Sequence, residues 1–360
     1  MLPELGNIQR VLVIRLRSIG DSVLATPSLA ALRRNLPNAR IDILLEDWVA
    51  PLLVGLDEVN NVIPVGKSIA SRLAVAKRIR AAGYDLVFDL HGGPTAAFFT
   101  LASGARQRIG YRHYRFPRVY TICPENAATI WPVERLHSAE QQLALIAAAG
   151  LRVSDRPRSR LVVTEEAIAS VEKKIPVFKE VLANPEKRFA LLHPAATFDT
   201  KRWPPENFAR VAEYLAMNKI DSVAIAAEGE SEILRQISSL QAGGLTTAAN
   251  LTLPEITALA SRAAIFIGND SGIAHIAAAV GSPCVVVFGS SNRDNWRPWT
   301  DAPSEIVFSY FECQPCPGYR CEKFESPRCI LSVTPESVIA AIERVLERAA
   351  NFERELEPAV

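Results

Sequence analysis

Apolar and polar positions alternate along the chain in two rhythms. VLVIRL (11–16) is a short apolar run of the kind that forms a strand buried on both faces. In DSVLATPSLAALRRNLP the apolar residues recur at helical spacing. RIDILLE (40–46) predicts a second strand, VAPLLVGL the start of a helix and VNNVIPV a third strand. SIASRLAVAKRIRAAG then predicts an amphipathic helix, YDLVFDL (84–90) a fourth strand, and an apolar helix runs from about Thr95 to Ser103. Residues 150–187 break the alternation: VSDRPRSRLVVTEEAIASVEKKIPVFKEV predicts an extended crossover followed by a helix. RFALLHPAA (188–196) restarts it with a strand, followed by a helix in PENFARVAEYLAMN, a strand in DSVAIAAEG (221–229) and helices in SEILRQISSLQ and LPEITALASRA. AAIFIGND (263–270), SGIAHIAAAVG and PCVVVFG (283–289) read as strand, short helix and strand. Two consecutive strand–helix sets predict an α/β protein of two Rossmann-like domains with parallel sheets, ligands meeting the carboxyl ends of the strands. Neither half contains G-x-G-x-x-G, which counts against a dinucleotide redox cofactor.

A length of 360 residues suits two domains. No apolar run approaches the roughly 18 to 20 residues that cross a bilayer, and MLPELGNIQR lacks the basic and apolar regions of a signal peptide. A cytoplasmic location is therefore expected. The formal net charge of +1 conceals a basic first part: residues 1–160 hold 21 Lys+Arg against 13 Asp+Glu, and the remainder 19 against 26. Such asymmetry suits an anionic partner for the first half, or a clustering of solvated charge.

Three stretches carry candidate chemistry. In RLRSIGDSVLATP (15–27), Asp21 follows a glycine at a strand-to-helix turn, where it can cap the helix or act as a base. In FIGNDSGIAHIAAAVGSPCVVVFGSSNRDNW (266–296), a strand ends at Gly268-Asn269-Asp270, and Ser271-Gly272 opens a helix whose free N–H groups suit phosphate. His275 shares a helix face with Ser271; the alternative is a capped helix with a core histidine. In LLHPAATFDTKRWPPENF (191–208), Thr197 and Lys201 follow a strand and suit a diphosphate, although a lone lysine is more often simply exposed. Glu228, at the end of the next strand, suits ribose hydroxyls or an ordinary first helical turn.

The segments RLRSIGDSVLATP, DLHGG, HPAATFDTKRWPPENF and NDSGIAHIAAAVGSPCVVVFG, in order from about residue 9 to residue 300, resemble the motifs of family 9 glycosyltransferases. These are the ADP-heptose:lipopolysaccharide heptosyltransferases and their relatives. The resemblance implies a GT-B architecture, two Rossmann-like domains facing across a cleft, and inverting sugar transfer with no metal and no cofactor. It also implies roles: Asp21 as the base, Thr197 and Lys201 on the donor's diphosphate, Glu228 near the adenosine ribose. Asp270, Ser271, Gly272 and His275 would close over the donor sugar and phosphate. Ser18, His91, Arg112 and Arg115 are the expected acceptor contacts; His91 departs from the D-L-Q-G pattern that relatives often show.

ARQRIGYRHYRFPRVYT (105–121) holds five arginines and four aromatics. It suits phosphate and carboxylate groups such as those of a lipopolysaccharide inner core; such a mixture also suits RNA or a membrane surface, and the plain alternative is a solvated basic loop. Cys313, Cys316, Cys321 and Cys329 lie within seventeen residues. They could form a four-thiolate zinc site or an iron–sulfur site, hold a redox pair, or remain thiols or disulfides. VTPESVIAAIERVLERAANFERE predicts a capped C-terminal helix.

These readings predict an acceptor-binding domain over 1–165, a nucleotide-sugar domain over 166–335 and a helix over 336–360 that crosses back to the first domain. The expected activity is heptose transfer from a nucleotide donor, ADP-heptose foremost, to a lipopolysaccharide core or related anionic glycolipid. Peripheral contact with the inner membrane surface, and no nucleic acid, accompany it. The alternatives are a sugar-nucleotide 2-epimerase of the same architecture and a non-catalytic nucleotide-sugar-binding protein.

Overall fold

The computed structural model describes residues 8–133, 135–184, 186–240, 243–316 and 318–356. The chain divides between Val162 and Val163 into two units. The first carries strands β1 (Arg10–Ile14), β2 (Arg40–Glu46), β3 (Asn61–Val65), β4 (Leu86–Asp89) and β5 (Gln107–Ile109), all parallel, in the order β3-β2-β1-β4-β5. The second carries β6 (Phe189–His193), β7 (Asp221–Ala226), β8 (Leu245–Ala249), β9 (Ile265–Asn269), β10 (Cys284–Phe288) and β11 (Ser304–Phe308). They too are parallel, in the order β11-β10-β9-β6-β7-β8, which is the dinucleotide-fold order read from the far edge.

Helices cover both faces of such sheets, so the central strands are apolar throughout. On one face of the first sheet, Leu12, Ile14, Leu44 and Ile63 pack with Val75 and Ile79 of helix Ile69–Ala82 and Phe99 of helix Pro94–Ala102. In the second unit, Leu192, Ile265, Ile267, Val285 and Val287 pack with Phe208, Val211 and Leu215 of helix Pro205–Met217. Each such side chain contributes about 1.5–3 kcal/mol on full burial.

Helix Pro335–Leu356 packs on helix Pro205–Met217 and on β10 and β11, with Val338, Ala341, Ile342 and Val345 in that same core. The helix thus contributes to the second unit's core, and residues 357–360 lie outside the described residues. Among the described residues no helix is long and apolar enough to cross a membrane.

The element pattern differs from expectation in several places. β5, β8 and β11 and helix Ser138–Ala148 are additional. Residues 163–187 hold two helices, Glu165–Lys174 and Pro176–Ala183, where one was expected. Pro176 forces the break, because proline cannot donate within a continuing helix. The helix start expected in VAPLLVGL is a single 3-10 turn, Ala50–Leu53.

Candidate active site

In an open parallel sheet, the crevice for a ligand lies where strand order reverses, outside the carboxyl ends. In the first unit that point is between β1 and β4, paired so that Ile14 lies opposite Asp89. In the second it lies between β6 and β9, with His193 opposite Gly268. Each reversal carries one cluster of polar side chains.

At the first reversal, Arg15 leaves β1 and its guanidinium forms an ion pair with Oδ1 of Asp21. Asp21 stands in the short helix Ile19–Val23, and its Oδ2 accepts from the Ser18 hydroxyl at 3.0 Å. Arg15 Nη1 also lies 3.0 Å from Nδ1 of His91. Ser18, Asp21 and His91 therefore gather here, around an arginine the sequence did not single out. Asp89, fully buried, accepts from the backbone N–H groups of His91 and Gly92 at 2.8 Å and from the Tyr120 hydroxyl at 2.6 Å. Burial pushes the Asp89 carboxyl upward, while Tyr120, the two amides and the Arg15 charge draw it back. Burial, aided by Arg15, lowers the His91 imidazole to about 4.

The basic segment 105–121 divides by residue type. Its tyrosines turn inward: Tyr114 lies against Gly92, where an added Cβ would meet the ring at 2.4 Å, and Gly92 has φ +78°. Four of its five arginines stay outside, Arg108 being half-buried: Arg112 is exposed and pairs with Glu125 at 2.5 Å, and Arg115 lies over the Phe116 ring at 5.9 Å.

At the second reversal, Lys201 Nζ reaches Asp270 Oδ2 at 2.8 Å, and the Ser291 hydroxyl donates to the same oxygen. Lys201 also lies 5.3 Å from the Phe198 ring centroid. Asn269 is a bracket: its amide donates to the Pro194 carbonyl at 2.7 Å and its oxygen accepts from the Trp203 amide at 3.1 Å. Ser271 is the N-cap of helix Gly272–Ala279, yet its hydroxyl bonds Nδ1 of His193 at 3.1 Å and makes no cap bond. The first-turn N–H groups of that helix stay open to an anion. Burial lowers His193 to about 4. His275 is buried on the same helix, its ring 6.5 Å from that of Trp296. Thr197 and Glu228 are exposed, on the loops after β6 and β7. Thr200, rather than Thr197, is the buried hydroxyl, bonded to Ser290 at 2.8 Å and to the Gly318 carbonyl.

That last bond leads to the cysteine segment. All six cysteines are free thiols. Cys313, Cys316 and Cys321 line a cavity of about 310 Å³ with Gly318, Arg320, Glu322 and Lys323. Among the described residues, no three His, Cys, Asp or Glu side chains are arranged to hold a metal ion.

Against known proteins, residues 72–325 match the model of glycosyltransferase family 9 (heptosyltransferase), well over half of the chain. The chain belongs to glycosyltransferase family 9. This glycosyltransferase is 26% identical over 350 residues to lipopolysaccharide heptosyltransferase 3 of Escherichia coli (strain K12), covering 93% of this chain and 97% of that one. To lipopolysaccharide heptosyltransferase 2 of the same strain it is 24% identical, covering 94% and 98%. Among solved structures it is similar to the family 9 glycosyl transferase from Veillonella parvula, with a TM-score of 0.81, 20% identity and coverage of 94% and 97%. It also resembles E. coli ADP-heptose lps heptosyltransferase II, with a TM-score of 0.77, 22% identity and coverage of 94% and 99%. Those likenesses establish the GT-B fold of the transferase, with two Rossmann-like halves.

Proposed function

We propose that this glycosyltransferase moves a heptose from ADP-heptose to a lipopolysaccharide core or related anionic glycolipid, with inversion and without a metal. The observation that carries the reading is the second reversal point, where a lysine and an uncapped helix N-terminus converge. The Lys201 ammonium has three donors and gives one to Asp270, leaving two for a diphosphate. Charge that develops on the departing nucleoside diphosphate is stabilised by those donors and by the first-turn N–H groups of helix Gly272–Ala279. Ser271, Gly272 and His275 sit at that helix start, and Thr197 and Glu228 take the outer phosphate and the ribose. Asp21 removes the proton of the acceptor hydroxyl as it attacks the anomeric carbon. Arg112 and Arg115, exposed on the basic segment, meet anionic groups of the acceptor. The names of the E. coli relatives support both the sugar and the acceptor class. The reaction takes place in the cytoplasm, with peripheral contact at the inner membrane and no nucleic acid.

The test is incubation with ADP-heptose, GDP- and UDP-sugars, each with and without a heptose-deficient lipopolysaccharide core. Product that forms with ADP-heptose and only with acceptor is the expected result. Isomerisation of the donor without acceptor would establish a 2-epimerase instead, and tight donor binding without product a non-catalytic protein.

A further inference from the structure

His91 stands beside Asp21 in the position of an acceptor contact, but its ring is already engaged. Arg15 is a donor only and keeps its charge at every ordinary pH, so Nδ1, 3.0 Å from Nη1, has to accept. The ring proton therefore sits on Nε2. With an imidazole lowered to about 4 by burial and by the Arg15 charge, this neutral tautomer persists across the neutral range. Nδ1 is thus committed, through Arg15, to the turn that carries Asp21.

Arg15 in its turn is committed to Asp21. Its Nη2 pairs with the carboxylate, and its Nε lies 3.4 Å from the Asp21 backbone carbonyl. Only 9% of its side chain is exposed, so the guanidinium has little freedom to swing away. The loop that presents His91 is held from behind: Asp89 takes the N–H groups of His91 and Gly92 on one oxygen and the Tyr120 hydroxyl on the other.

Resting on the reading of Asp21 as the base, we propose that His91 is a positioning residue. It holds Arg15, and through Arg15 the Asp21 carboxylate, in the orientation for proton abstraction, and it does not contact the acceptor. Tyr120 and Asp89 set the height of the His91 loop, so the basic segment reaches the base through Tyr120-Asp89-His91-Arg15-Asp21.

The chemistry selects the variants. Glutamine offers one acceptor and one donor on a neutral side chain, as the imidazole does; leucine fills the space with neither. His91→Leu is expected to lower kcat about 10²-fold, the usual effect of a slightly misplaced reacting group, with the acceptor KM, the ADP Kd and the melting temperature little changed. His91→Gln is expected to stay within about threefold of the parent rate, because the positioning bonds remain. An acceptor KM that rises in His91→Leu while kcat holds would make His91 an acceptor contact and overturn the proposal. So would a His91→Gln rate as low as that of His91→Leu. Nitrogen-15 spectra of the ring, recorded without substrate, check the tautomer separately; a proton on Nδ1 overturns the proposal whatever the activity. Asp21→Asn run alongside separates the two ideas. Full turnover there refutes Asp21 as base, whereas loss there with full turnover in His91→Leu refutes only the positioning role.

Discussion

Lys201 and Asp270 close to 2.8 Å although they stand on loops after two different strands, β6 and β9. The pair is largely buried, and Ser291 adds a bond to the same carboxylate oxygen. The ammonium is thereby held at the strand-order reversal instead of sweeping through solvent, and a diphosphate bound as proposed would meet a cation already in place. Replacing Lys201 by Ala is expected to weaken ADP binding by about 1.5–3 kcal/mol, the worth of a charged hydrogen bond. Calorimetric titration of ADP reads this, and an unchanged affinity would remove Lys201 from the donor site.

Asp21→Asn keeps the shape of the side chain and removes the proton acceptor. Turnover is expected to fall about 10²- to 10⁴-fold, the usual contribution of a general base, while ADP affinity stays the same. Single-turnover kinetics measures the first and calorimetry the second.

His193 gives stability a pH dependence. Its imidazole titrates near 6.5 in the unfolded chain and, lowered by burial, at about 4 in the folded one. Between those values the unfolded chain takes up a proton that the folded one refuses, so stability falls as pH drops through the window. His91, also lowered to about 4, acts in the same direction. Urea midpoints measured between pH 7 and pH 4 should decline, and decline less in His193→Gln.

Glu255 works with the opposite kind of shift. Burial pushes its carboxyl up, but hydrogen bonds from Lys174, Ser170 and the Thr252 amide outweigh burial and bring it to about 2. Its contribution is complete above the ordinary carboxylate value and is lost as pH falls towards 2. Glu255→Ala also removes the capping box of helix Leu253–Arg262 and unlinks that helix from Glu165–Lys174. A loss of about 3 kcal/mol is expected at pH 7, read from the urea midpoint.

Buried strands with Val, Ile and Leu on both faces, such as β1, β2, β9 and β10, were legible in the sequence because their apolar runs are continuous. β8, LTTAA, is half-buried along most of its length at a sheet edge and lacks that signal; β5 is only three residues long. Helix Ser138–Ala148 starts on His137, whose Nδ1 accepts from the Ala139 amide, so the usual Ser, Thr, Asp or Asn start signal is missing. Asp21, Lys201 and Asp270 were singled out as candidates in the sequence, each from its segment following a strand. Arg15, Asp89, Tyr120, His193 and Asn269 were not, because what makes them matter is the adjacency of β1 to β4 and of β6 to β9. That adjacency joins residues some 70 positions apart, as in the Arg15–His91 bond, which spans 76 positions of the chain.

The cysteine segment is tied to the loops after β6 and β10 by three bonds. The Cys316 amide donates to the Ser290 carbonyl at 3.0 Å, Gln314 donates to the Gly289 carbonyl at 2.6 Å, and Thr200 donates to the Gly318 carbonyl. Gly289 leaves no slack, since a Cβ there would lie 1.9 Å from the Thr200 carbonyl oxygen. A dye attached to one of the half-buried thiols, Cys313, Cys316 or Cys321, would therefore sit on a segment bonded to the Lys201 loop, an optical gauge for the proposed nucleotide site that needs no radiolabelled sugar.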